Sequence, residues 1–112
     1  MLNEKIHAGE FILSEGNGSI SREQITVASG EDLPAGQVVG QITATSLYVA
    51  YNDGATDGSE VAAGILFDAV DATAASTPGV IVSRLAEVSE SLLTGLDANG
   101  RADLLARNII IR

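Results

Sequence analysis

The chain has no cysteine and no tryptophan, a single histidine and only six basic side chains among its 112 residues. Without cysteine there are no disulfides, no thiolate nucleophile and no zinc–thiolate site. With one histidine, His7, most nucleophile–base machinery is missing as well. Six basic against fifteen acidic residues leave a net charge of −9. Such a surface repels DNA and RNA, and it repels anionic lipid. No stretch approaches the ~20 apolar residues of a membrane span, and Met1-Leu2-Asn3-Glu4-Lys5-Ile6-His7 lacks the apolar core of a signal peptide. The expectation is a soluble protein made in the cytoplasm. Aromatics are scarce, at 4%. A core of Ala, Val, Ile and Leu is thin in buried area at about 25 cal/mol per Å², so self-association is expected to add to it.

What is present reads as one β-rich domain. Hydrophobic residues make up 46% and glycine contributes 12 positions, a globular composition at a length that buries roughly two-thirds of the unfolded surface. Residues 1–9 show no periodicity and read as a loose arm. Phe11-Ile12-Leu13 reads as a short strand, Ser14–Gly18 as a turn, and Ser19–Arg22 with Gln24–Val27 as an alternating strand, together a hairpin. After the turn cluster Ser29–Gly36, strands are expected over Gln37–Thr43, Leu47–Tyr51, Val61–Phe67 and Val80–Leu85, with Gly64 marking a bulge or close backbone approach. Glu87–Leu93 reads as a turn of helix. Asp97 is positioned to cap a helix through Arg107 with Leu104 and Leu105 inward, and Asn108–Arg112 reads as a terminal strand.

Chemistry-bearing candidates fail one by one. Asp53-Gly54-Ala55-Thr56-Asp57-Gly58 starts like a calcium loop, but Ala55 and Gly64 stand where oxygen ligands are required. Asp68 with Asp71, and Glu87 with Glu90, are close pairs of the kind that fifteen acids produce by chance. His7 has no partner at ligand spacing, and Gly16-Asn17-Gly18 lacks the third glycine of a phosphate-binding turn. Asn17-Gly18-Ser19 matches a glycosylation sequon only formally, in a chain without a signal peptide. Phe11, Tyr48, Tyr51 and Phe67 read as core or interface packing. The expectation is no catalytic residue, no metal and no cofactor.

Glu10–Glu15, then Val27–Gly40, Tyr51–Gly58 followed by Ala63-Gly64-Ile65-Leu66, and Ala86-Glu87-Val88 leading to Leu92-Leu93-Thr94 form an ordered set. In that order the chain resembles phage head decoration proteins of the lambda D type over roughly residues 10–112. The resemblance implies a mainly-β, β-tulip-like single domain with a short C-terminal helical segment and no enzymatic activity. It implies a homotrimer on the outer surface of the expanded head, bound to the major capsid protein and stabilising the shell. It also implies an N-terminal arm that orders on contact. On that basis residues 1–13 are expected to form a flexible arm and 14–112 the domain, with Glu10, Phe11, Ile12 and Leu13 carrying capsid binding by strand addition. Two other classes stand beside this one. A biotinyl- or lipoyl-like carrier needs a lysine at a hairpin tip, but the only lysine is Lys5. A carbohydrate-binding or other virion accessory module needs aromatic convergence, which 4% aromatics makes sparse.

Overall fold

The computed structural model describes residues 7–16 and 20–112. In chain order the first strands are β1 (Ile12–Glu15), β2 (Arg22–Val27), β3 (Asp32–Leu33), β4 (Val38–Gln41) and β5 (Tyr48–Ala50). They are followed by β6 (Ala62–Leu66), β7 (Val70–Asp71), β8 (Thr77–Val82), β9 (Ala86–Val88), the helix α1 (Ala98–Leu105) and β10 (Ile109–Ile111). Strands β2-β5-β4-β6-β8 close a barrel, β1-β9-β10 form a three-stranded sheet, and β3 pairs with β7. The mainly-β reading with one short C-terminal helix therefore holds.

Two cores share the barrel wall. Ile25, Val27, Val39, Tyr48, Ala63, Leu66 and Ile81 come from all five barrel strands and fill its interior, with Leu33 and Val70 of the β3–β7 ladder. Val38, Ala62, Ile65 and Val82 face the other way, where they meet Phe11, Ala86, Val88, Leu104 and Ile109. Alternation along a strand sends neighbours to opposite faces, which is why Val38 and Val39, or Ile81 and Val82, part company. Strand β6 departs from strict alternation through a bulge. Val39 faces Gly64 and Gly40 faces Ala62, leaving Ala63 as an extra residue. Same-face residues are then three apart, so Ala62 and Ile65 serve the outer core while Ala63 and Leu66 serve the inner one. A Cβ on Gly64 would lie 2.7 Å from the Val82 carbonyl oxygen, so this position is a close backbone approach as well as a neighbour of the bulge.

Three local expectations are corrected. Strands β1 and β2 do not form a hairpin: β1 lies antiparallel to β9, and β2 runs antiparallel to β8 from Arg22–Val82 to Val27–Thr77. The turn residues Asn17-Gly18-Ser19 lie outside the described residues. Alternation shows that a strand has two faces and says nothing of its partner; Phe11 and Ile12 reach apolar cover only on the outer core. The stretch read as a turn of helix is β9 followed by a 3-10 turn at Glu90–Leu92. Ala86 and Val88 alternate into the outer core, and strands on both sides satisfy the backbone. In α1, Leu104 is fully buried but Leu105 is 60% exposed, because successive helical residues point about 100° apart. Finally, β3 and β7 are two-residue strands, too short for any periodic signal.

Candidate functional site

The residues expected to carry binding fall on both sides of the body's surface. The Gly9 N–H donates to the Phe67 carbonyl at 2.8 Å, and the Ile12 N–H donates to the Gly9 carbonyl at 3.0 Å, so the chain is tied down from Gly9 onward. Phe11 is fully buried in the outer core and its carbonyl accepts from the Ser89 N–H at 2.8 Å. Ile12 is half-buried against the same core. Glu10 and Leu13 are exposed. Leu13 is the extra residue of a β1 bulge, since Ile12 faces Val88 and Ser14 faces Glu87. Burying a hydrophobic side chain as large as Phe11 holds this segment against the body. Residues 1–6 lie outside the described residues.

Both outer strands of the three-stranded sheet, β1 and β10, leave one edge without a strand neighbour among the described residues. The outward row Ser14–Glu87–Ile110 crosses this sheet in register. A shallow groove of about 410 Å³ runs over it, bounded by Gly16, Leu85, Asn108 and Ile110. Leu85 is itself exposed and held at a positive φ of 54°, a conformation uncommon for a non-glycine residue. Exposed Ile20 sits against Gly16, so Leu13, Ile20, Leu85 and Ile110 place apolar surface around the sheet.

Carboxylates fasten this sheet to the barrel and tie its own strands together. Glu15 accepts from Arg22 Nη2 at 2.6 Å, Arg22 Nε at 3.2 Å and Ser21 Oγ at 2.7 Å. The Arg22 guanidinium, lying 4.1 Å over the centre of the Phe67 ring, holds the Glu15 carboxyl below its usual range against the opposing effect of burial. Glu87 likewise accepts from Arg112 and from Ser14 Oγ, and these bonds lower its pKa, that of Arg112 most.

The remaining sequence candidates have structural partners. Asp57 accepts from the Ser59 N–H at 3.0 Å and Ser59 Oγ at 2.6 Å, closing its own loop. Tyr51 donates its hydroxyl to Asp97 at 2.8 Å, and Asp97 caps α1 by accepting from the Gly100 N–H at 2.7 Å. Asn99 donates to Asp53 at 2.9 Å, so the acidic loop is tied to the helix start. Burial, then the bond to Asp97, pushes the Tyr51 hydroxyl pKa up. Asp71 accepts from Thr73, Asp68 from the Ala69 N–H, and Glu90 meets Arg101. His7 is exposed, with Nδ1 3.6 Å from Glu10. Among the described residues no group of three or more histidines and acids is placed to hold a metal, and no helix is long and apolar enough to cross a membrane. The Tyr51–Asp97 tie and the Arg22–Phe67 stack had no signal in the sequence, because their partners lie 46 and 45 positions apart.

Fold and surface define a small mainly-β module with shallow grooves, locally engaged carboxylates and open sheet edges, the kind of protein that works by contact. The chain belongs to the bacteriophage lambda head decoration protein D family, whose model matches residues 1–109 of its 112. It is a structural component of the phage capsid, and capsid binding is the role of the family. No curated protein matches the chain.

Proposed function

We propose that the protein binds as a homotrimer to the outer surface of the expanded head and stabilises the shell. Contact with the major capsid protein is made by its N-terminal segment together with the free edge of β1. One observation carries this reading: β1 continues directly from the N-terminal segment and is an edge strand with exposed Leu13 beside it. An edge strand offers unpaired N–H and C=O groups, so an incoming strand gains main-chain hydrogen bonds, and outward side chains select the partner. Phe11 and Ile12 anchor the segment inward, leaving Glu10 and Leu13 to face the capsid. Fixing a segment against a partner costs about 1–2 kcal/mol per residue ordered, so one copy binds weakly. Three linked copies convert later contacts into intramolecular ones and gain avidity. The net charge of −9 per copy keeps such knobs apart in solution.

The test removes residues 1–8, upstream of the Gly9 anchor, and separately makes Leu13→Asp. Both proteins are expected to keep the wild-type circular dichroism spectrum and to lose co-sedimentation with expanded heads. Full binding by both would refute the reading.

A further inference from the structure

We propose that Asn99–Gly100 is a latent deamidation site, kept closed by the side chains of Tyr51, Asp97 and Asp53 around it. Asn-Gly is the dipeptide most prone to this reaction, because glycine leaves the attacking nitrogen unshielded by a Cβ. The Gly100 nitrogen gives up its proton and attacks the Asn99 side-chain carbonyl carbon. A bond forms between that carbon and the Gly100 nitrogen, the bond to Asn99 Nδ2 breaks, and ammonia leaves with the proton that Gly100 lost. Water then opens the succinimide, leaving aspartate or isoaspartate at position 99.

Exposure does not protect the pair, since Asn99 is exposed; geometry does. Both residues lie in the first turn of α1, and closing the five-membered ring needs the Asn99 ψ rotated out of the helical well. The nucleophile is engaged: the Gly100 N–H donates to Asp97 Oδ1 at 2.7 Å, and losing its proton there would set an amide anion against a carboxylate. The backbone has no room to swing, because Gly100 is buried and a Cβ on it would lie 3.0 Å from Tyr51 Cε2. Tyr51 is itself fixed by donating its hydroxyl to Asp97 at 2.8 Å. The departing amide is held too, with Asn99 Nδ2 donating to Asp53 Oδ2 at 2.9 Å. Once formed, either product would put a carboxylate where that donor stood, facing Asp53. Isoaspartate would also lengthen the backbone within the turn that Asp97 caps. Reaction at Asn99 therefore releases the acidic loop from the helix start and does not reverse, which matters in a capsid component that must last as long as its particle.

The test incubates the full chain at mildly alkaline pH and maps peptides covering Asn99 by mass spectrometry, which reads the mass gain and separates isoaspartate. Folded wild type is expected to keep Asn99 long after the same protein in urea has lost it. Asp97→Ala is expected to deamidate Asn99 about fivefold faster than wild type, the scale on which a lost cap shifts local opening. Tyr51→Phe removes only the hydroxyl tie; it is expected to move in the same direction and carries the comparison if Asp97→Ala does not fold by circular dichroism. Ile81→Val, in the inner core away from the site, lowers global stability on the scale of a lost cap and is expected to leave the Asn99 rate unchanged. Loss of Asn99 as fast in folded wild type as in urea overturns the proposal, and so do equal rates in wild type and the site variants. Equal acceleration by Ile81→Val overturns it as well, because loss through global unfolding involves no local guard.

Discussion

Replacing Phe11 by alanine separates an arm residue from a core residue more sharply than any other single change. The Phe11 ring is fully buried among Val88, Leu104, Ile109 and their neighbours, in the core that the three-stranded sheet and α1 share with the barrel. Truncating a buried phenylalanine costs about 3–5 kcal/mol, part lost transfer energy and part cavity. Against a total stability of about 5–15 kcal/mol this is a large fraction. At about 4 °C per kcal/mol for a domain near this length, the melting temperature is expected to fall by about 12–20 °C. Leu13, two positions on and 55% exposed, is the matched control: Leu13→Ala should stay within about 0.5 kcal/mol of wild type. Urea and thermal unfolding of both variants check the pair. A Phe11→Ala protein as stable as Leu13→Ala would return Phe11 to a free arm and refute the outer-core assignment.

Acid provides a second perturbation. Arg22 holds the folded-state Glu15 pKa below the usual glutamate value of 4.5, so the stability this carboxylate contributes is present above that value. It is lost as pH falls through the depressed folded value. Urea midpoints taken from pH 7 down to pH 3 should drop less steeply for Glu15→Gln than for wild type, and parallel profiles would contradict the latch. Gly100→Ala tests the helix packing. In an open helix the change stabilises by about 1 kcal/mol, but here the new Cβ would sit 3.0 Å from Tyr51 Cε2 and 3.2 Å from Asp97 Oδ1. Thermal melting should show a loss of about 1 kcal/mol, in the range of an overpacked core; a gain would mean that the Tyr51–Asp97 tie yields freely.

How far the chain could be read depended on the range of the interaction concerned. Short-range signals were legible: Asp97 caps α1, Gly64 marks a close approach beside the Ala63 bulge, and four expected strand segments became β4, β5, β6 and β8. The family was legible too, because ordered turn and strand motifs survive along nearly the whole length. Pairing was not. Nothing local to Phe11-Ile12-Leu13 shows that its partner is Ala86–Val88, more than seventy positions away, or that Phe11 is core rather than arm. Surface placement was hidden for the same reason: Leu105 looks inward by composition and is outward by helical phase.

By itself, then, the amino-acid order settled the class of domain, its acidic net charge, its turns and its helix cap, all properties of composition or of residues a few positions apart. Only the tertiary structure decided which strands meet, where the barrel closes, and which apolar side chains remain outside. Those outcomes follow from burying two sets of alternating residues at once, a condition that no window of sequence contains.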